Sequence, residues 1–406
     1  MINQILTYLW NTKQANTWIF LELIFVAFFM WSVIDPVFVI FSNKAIDKGY
    51  DTENVYMLNF KEFSSMDSKY NQSQNNDSLR KVNFQRIYQT IQHHPDIETF
   101  TITLYDSYPY SESTNSGYMK NDTLQVMSIT QRFYTGTDYF GVFRINNVES
   151  GNIMLTSPED FTNKAVYITD DIQKSLHLDL RDQETEIDVF GTTYKVAGVT
   201  SNFKLRSTEQ PVPAVFIPLA EMYFDDLPYS VQICFRTKDG INQQEFMETF
   251  RQEVMPRLEV GNFYPIRLTD FDSIRINSEY TGGITNTINL QVGLAIFFLL
   301  CTFLGISGTF WLRSNERRRD IGTRMALGAS REIILKEFFT EAWLLTTMAW
   351  VIGVFFALQR VYFSGFAFPP DYNNPAFLHN NVIFHFSVVS IIVYLLMIVI
   401  AAIGTW

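Results

Sequence analysis

The sequence predicts a membrane protein with four transmembrane α-helices per chain and a large external α+β domain, made of two βαβ units flanking a strand-rich insertion. Three observations predict it. Four runs, Trp18–Ile40, Ile288–Trp311, Phe338–Leu358 and Val382–Ile403, are apolar over the roughly 20 residues that a helix needs to cross a hydrocarbon core. Between the first two runs, residues 42–280 are polar and rich in Asp, Asn, Ser and Thr. Between the second and third, Arg313, Arg317, Arg318, Arg319, Arg324, Arg331 and Lys336 crowd one short loop, in a chain whose net charge is −11.

Taken in order, residues 1–16 carry Ile2, Ile5, Leu6 and Leu9 at helical spacing, with polar residues between. That pattern reads as an amphipathic helix in the membrane interface, with Trp10 and Trp18 near headgroup level. The first span takes residues 17–41, and Asp35 and Pro36 are expected to mark its outer end. Lys13 is the only basic residue before Trp18 and no Ala-x-Ala-like site follows Ile40, so the run reads as a retained span, not a cleaved signal peptide. The other spans take residues 281–313, 333–358 and 382–405. Basic residues in short loops stay inside. The 314–332 segment is therefore cytoplasmic, whereas the 359–381 loop, with Arg360 as its only Lys or Arg, lies outside with the 42–280 domain.

Within that domain, "NVYMLNF" (54–60), "SLRKVNFQRIYQTIQHH" (78–94) and "IETFTITLYD" (97–106) read as strand, helix and strand. "SVQICFRT" (230–237), "INQQEFMETFRQEVMPRL" (241–258) and "FYPIRLTD" (263–270) repeat the pattern. Residues 50–126 and 229–275 thus form one subdomain around an insertion at 127–228. "SYPYSESTNSGYMKND", after Asp106, reads as a loop. In the insertion, "KAVYITDDIQKSL" gives a strand and a short helix, and "TEIDVFGTTYKVAGVTSNF" a hairpin turning at Gly191-Thr192. "EQPVPAVFIPL" closes it, with prolines suited to an edge strand.

Composition excludes several classes. The acidity, gathered in the 42–280 domain, argues against nucleic acid and against docking on anionic lipid. Cys234 falls in the external domain and Cys301 in the second span, so the two cannot pair and the external domain must stand on its own core. His93-His94 have no accompanying ligand cluster and read as a solvated helix end, not a metal site. "NQS", "NDS" and "NDT" fit a glycosylation acceptor pattern that Asn-rich loops also produce by chance. Glu341, one turn inside the third span, reads as a partner for a neighbouring helix. No Ser/His/Asp or Cys/His set suggests catalysis.

The candidate site is "ERRRDIGTRMALGAS", from Glu316. Between Glu316 and Leu327 only Gly322 is a helix breaker, Gly328 suits a left-handed C′ position, and Ser330 can cap the next helix with Glu332 in its first turn. Ile321 and Met325 lie four apart on one face, with Arg317 and Arg324 on the same side. A basic loop of this composition can be a topology anchor and nothing more; the order of its residues points further. The stretch closely resembles the Glu-Arg-x-x-Glu-Ile-Gly-x-x-x-Ala-Leu-Gly-Ala pattern of FtsX-like ABC-transporter permeases, the family that includes the macrolide-exporter permease. Glu316, Arg317, Ile321, Gly322, Ala326, Leu327, Gly328 and Ala329 match as they stand, and Asp320 keeps the charge of the usual Glu. "DVFGTTYKVAGVTSNF" is similar to a stretch of the same family's external core domain, carried by Tyr194, Val196, Gly198, Val199, Asn202 and Phe203.

The resemblance implies that the two βαβ segments are porter-like, and that the 314–332 helix docks on an ATPase through Glu316, Arg317, Arg318, Asp320, Ile321, Gly322, Arg324, Met325, Leu327 and Gly328. It implies a permease subunit, not itself an enzyme, at the bacterial inner membrane. Its expected partners are an ABC ATPase carrying ATP and Mg, a second permease copy or paralogue, membrane lipids and a periplasmic adaptor. No Gly-x-x-x-x-Gly-Lys-(Ser/Thr) loop occurs in the sequence, so the ATPase is expected on a separate polypeptide and no cofactor in this chain. Family members usually continue past the fourth span with a short basic tail; this sequence stops at Trp406, so either it is truncated there or the tail is missing. The expected function is to pass ATP-driven motion to an external domain that exports or extracts an antibiotic, peptide or lipoprotein. The alternative is an ABC-type regulatory complex that activates a periplasmic partner such as a cell-wall hydrolase.

Overall fold

The computed structural model describes residues 13–112, 115–121, 124–134, 136–157, 164–179, 185–220, 231–364 and 375–405. Most of the interfacial helix expected at 1–16 and part of the 359–381 loop lie outside them. The chain forms two compact units, one of residues 43–283 and one of the chain before and after it.

Among its described residues the external unit has ten strands: β1 (Val55–Glu62), β2 (Ile97–Leu104), β3 (Asn115–Asn121), β4 (Leu124–Tyr134), β5 (Ala165–Thr169), β6 (Glu186–Val189), β7 (Thr192–Thr200), β8 (Ala214–Leu219), β9 (Val231–Thr237) and β10 (Phe263–Asp270). Four of them run antiparallel in the order β10-β1-β9-β2. The strands of each strand–helix–strand segment are therefore not neighbours: β9 lies between β1 and β2, and β1 between β9 and β10. The two segments interleave, so neither can complete its sheet alone.

Side chains alternate across a strand, and here both faces are covered. On one face Tyr56, Leu58, Phe60, Ile102, Ile233 and Phe235 pack with Phe84, Ile87, Phe246 and Phe250. On the other, Val55, Met57 and Cys234 pack with Phe133, Tyr139, Phe143 and Phe271. The helix behind the first face, Asp77–Gln92, starts where the Asn76 side chain accepts a hydrogen bond from the Ser78 amide, and Asp77 suits the positive end of the helix dipole. The second helix is shorter than expected. It is α-helical over Gln243–Thr249, widens to a π turn over Phe250–Val254, and tightens to a 3₁₀ turn over Met255–Leu258. Pro256 has no amide to bond four residues back and its ring collides there, so the α ladder cannot continue.

The other six strands close on themselves. They pair in the order β4-β3-β6-β7-β5-β8, and β8 returns to pair in parallel with β4. Their inward residues, among them Met119, Val126, Val166, Ile168, Ile187, Val189, Val199, Val215 and Ile217, form one buried cluster.

Three expectations are corrected here. Residues 115–121 form strand β3 where a loop was expected, because pairing along β4 overrides weak strand propensity. The hairpin turns at Phe190–Gly191, both at positive φ, one residue earlier than expected; Gly117 lies against the Phe190 ring, where a Cβ would stand 1.6 Å from Cε1. Strand β8 is not an edge, having β4 on one side and β5 on the other, although its pairing with β5 involves only Val215 and Phe216 and stops short of Pro218.

Among the described residues the membrane unit has four helices long and apolar enough to span, which are or lie within α1 (Lys13–Ala45), α7 (Ile284–Glu316), α9 (Arg331–Ser364) and α10 (Pro375–Thr405), with the numbers α2 to α6 falling to the helices Asp77–Gln92, Tyr139–Phe143, Asp170–Ser175, Gln243–Thr249 and Phe271–Thr281. Their shared core includes Leu23, Ala27, Met30 and Trp31 of α1, Ala342, Leu345 and Ala349 of α9, and Val389, Val393, Met397 and Ala401 of α10. Small residues allow close approach: a Cβ at Gly353 would stand 2.5 Å from that of Ala27. Several polar side chains inside the bundle are bonded across helices. Trp31 Nε1 donates to Ser390 Oγ (3.2 Å), Trp350 Nε1 to the Ser390 carbonyl (3.1 Å) and Trp343 Nε1 to the Tyr394 hydroxyl (3.0 Å), and His385 Nε2 lies 2.6 Å from Asp35 Oδ1. Asp35 and Pro36 do not end the first helix, which runs through Pro36 to Ala45.

Candidate functional site

The basic stretch folds as a short helix, α8 (Arg318–Ala326), joined to α7 and α9 by tight turns. It begins two residues later than Glu316, because Arg317 leaves helical geometry at φ −91°, ψ 8° and separates it from α7. Gly322 lies within it and does not break it.

Its C-terminus is closed by a Schellman arrangement. Gly328 stands at φ +98°, its amide donates to the Met325 carbonyl (3.1 Å), and the Ala329 amide reaches the Arg324 carbonyl (2.9 Å). Glycine is needed at that φ, which a side chain would strain. Two residues on, the Ile333 amide contacts Ser330 Oγ (3.4 Å), and Glu332 lies in the first turn of α9. The turn between the helices is thus held at both ends, by the glycine closure of α8 and the serine cap of α9.

Arg317 and Arg324 both have carboxylate partners within the chain. Arg324 Nη1 donates to both carboxylate oxygens of Glu337, at 2.9 and 3.2 Å. Arg317 Nη1 lies 3.6 Å from Glu341 Oε2, and its guanidinium stands over the Phe338 ring at 6.0 Å. Glu341 is 3% exposed, so this is a carboxylate in a largely apolar place with a cation beside it. Both arginines therefore brace α8 against α9. The sequence held a signal for these partners, since Glu337 and Glu341 lie four apart on one helix face.

Other candidates divide by exposure. Met325 is 50% and Leu327 83% exposed, while Ile321 is half-buried and so offers less surface than expected. Glu316, Arg318, Gly322 and Gly328 are exposed, and Asp320 lies within α8. Ile333, 59% exposed at the start of α9, was not anticipated and adds a third apolar side chain on this joint. Among the described residues no group of three or more His, Cys, Asp or Glu could hold a metal ion. His93 caps the C-terminus of α2, and His94 packs on Phe246 and Phe250.

Comparison with known proteins matches the two parts of the chain separately. Residues 41–253 match the MacB-like periplasmic core domain, and residues 292–406 match the FtsX-like permease C-terminal region. Over 240 residues the chain is 25% identical to the uncharacterized ABC transporter permease YvrN of Bacillus subtilis, covering 56% of this chain and 57% of that one. Over 127 residues it is 28% identical to the macrolide export ATP-binding/permease protein MacB of Escherichia coli, covering 31% and 19%. The pyoverdine export ATP-binding/permease protein PvdT of Pseudomonas savastanoi is 33% identical over the same length, again covering 31% and 19%. The chain thus spans less than two thirds of each of these relatives. The periplasmic region of MacB from Actinobacillus actinomycetemcomitans superposes with a TM-score of 0.35 at 14% identity, over 57% of this chain and 94% of that one.

Proposed function

Because this chain belongs to the ABC-transporter permeases that join a MacB-like periplasmic core domain to an FtsX-like membrane region, we propose that it is the permease subunit of an exporter driven by a separate ATPase. In this reading α8 lies on the cytoplasmic side, where an arginine-rich loop is retained. ATP and Mg are bound by the partner, and a second copy or paralogue completes the membrane part. The external domain handles the cargo on the outer side.

One observation carries the reading. The short helix is held to α9 by two arginine–carboxylate contacts and a glycine-closed, serine-capped turn, yet it leaves Met325 and Leu327 exposed. A bare helix that is rigidly joined to a span converts a push on its exposed face into tilt of that span. A topology anchor needs the charge but neither the rigidity nor the apolar side chains.

The test is recovery of the ATPase in a pull-down with Met325→Ala combined with Leu327→Ala. Truncating apolar hot-spot residues typically costs at least about 2 kcal/mol, roughly thirtyfold in affinity. Insertion and folding should be unchanged, because neither side chain is part of the core. Full recovery with the double variant would return the loop to a topology signal.

A further inference from the structure

The chain that enters the external domain from the first span, residues 43–50, is seated on the loop that follows β7, residues 201–208. Lys204 is fully buried, and its ammonium donates to the carbonyls of Asn43 and Ile46, the second at 2.8 Å. The Asn43 carbonyl lies in the last turn of α1 and also accepts from the Ile46 amide (3.1 Å), and the Ile46 carbonyl lies just past the helix, so the ammonium meets the negative end of the helix dipole. Around them, the Lys204 amide donates to Lys48 O (3.1 Å), Ser201 Oγ to Gly49 O (3.2 Å), and Asn43 Nδ2 to Thr208 O (3.0 Å). Gly49 stands at φ +79°, and a Cβ there would lie 1.6 Å from the Asn202 carbonyl oxygen. The Tyr50 ring packs on Phe203 at 5.2 Å.

The chain that leaves the domain meets the same loop. Glu279 lies on α6, which is separated from α7 by two residues. Its carboxylate accepts from Ser207 Oγ (2.6 Å), Lys44 Nζ (3.1 Å) and Arg275 Nη1 (3.0 Å). One carboxylate thus joins the end of α1, the loop after β7 and the helix that leads into α7.

Burying a lysine is costly, and burial pushes the Lys204 ammonium below its ordinary range, with Lys48 acting the same way and Asp47 opposing. A methionine would fill a similar volume without that cost. What the ammonium adds is direction, because it fixes the end of one particular helix. We propose that Lys204 and Glu279 are positioning residues that clamp the chain entering and leaving the external domain to the loop after β7, so that movement of the first two spans is delivered to the six-stranded ring. The clamp itself stands on contacts within the external unit, while its role in transmission rests on the permease reading above.

Hydrogen exchange on the full chain in nanodiscs tests both parts. Lys204→Met removes two charge-assisted hydrogen bonds, so amides in 43–50 should exchange about ten- to a hundredfold faster, while the β1, β2 and β9 amides keep their protection. Unchanged exchange in 43–50 would overturn the clamp. Should that variant not fold, Ser207→Ala leaves Lys204 in place and removes one bond to Glu279. It should raise exchange in 43–50 several-fold, and no rise would be equally fatal. In complex with the ATPase, nucleotide should alter exchange in the six-stranded ring of the unmodified protein, and Lys204→Met should abolish that response while ATP hydrolysis stays within about twofold. A retained response in a variant with a loosened 43–50 segment would overturn the transmission role. If even the unmodified protein gives no nucleotide response, the permease reading and the transmission role fall together, and the first arm still decides the clamp.

Discussion

Gly328→Val perturbs the joint between α8 and α9 by a route that can be worked through. Gly328 stands at φ +98°, and a Cβ there would meet nothing within 4 Å. Steric crowding by neighbours is therefore absent and the cost is that of the backbone alone. Holding a non-glycine residue in a left-handed conformation costs roughly 1–2 kcal/mol, more when it is β-branched. The alternative is to abandon the conformation and lose the bonds from the Gly328 and Ala329 amides to Met325 and Arg324. At about 0.5–1.5 kcal/mol each, that route costs roughly 1–3 kcal/mol. The chain takes the cheaper course, so the turn should be weakened by about 1–2 kcal/mol, roughly a five- to thirtyfold shift in local opening. Hydrogen exchange of the Gly328 and Ala329 amides in the full chain reads this directly, with Gly328→Asn as the milder control because Asn tolerates the left-handed region. Exchange as slow in the valine variant as in the unmodified protein would refute the reasoning, since a turn that accepts valine without loss does not rest on left-handed glycine.

Three other expectations follow from the same structure. Arg324→Ala breaks an ion pair whose side chains are 49% and 42% exposed, so stability should fall by no more than about 1 kcal/mol; Arg317→Ala, which strips a cation from beside the nearly buried Glu341, should cost clearly more in the same melting assay. The Cys234 thiol, fully buried in β9 and pushed up by that burial, should resist a membrane-impermeant thiol reagent in the native protein and react promptly once denatured; rapid native labelling would contradict the sheet order. Burial pushes the Glu279 carboxyl up, but bonds from Ser207 and Lys44 and the charge of Lys44 outweigh it and hold the group below its ordinary 4.5. The stabilisation it gives is present above that value and is lost as pH falls through the folded-state value, so the stability gap between the unmodified protein and Glu279→Gln should shrink on acidification and not on alkalinisation.

Much of this was legible in the sequence where a local pattern decides the outcome. Apolar runs set the spans, and the glycine after Leu327 set the end of α8, because a helix terminus is a matter of a few adjacent residues. What was not legible depended on residues distant in the chain. Residues 115–121, rich in Asn, Ser and Gly, become a strand only because β4 lies beside them. The ring of six strands is closed by the parallel pairing of β4 with β8, some eighty residues apart by their numbers. Arg317 and Arg324 read as partner contacts; the spacing of Glu337 and Glu341 marked one helix face, but only the fold brings that face to the two arginines. Lys204 gave no signal at all. A lysine at the end of an alternating strand reads as a solvated side chain, and its burial depends on the first span ending where it does.

The central claim is that this chain is moved by an ATPase seated on α8. Purifying the tagged full chain from native membranes in a mild detergent, and identifying what accompanies it by mass spectrometry, tests that claim most directly. An ABC ATPase should be recovered in proportion to the chain, and its yield should fall sharply when Met325 and Leu327 are both alanine. Recovery of the chain with no ATPase, or with one whose yield is indifferent to those two residues, would contradict it.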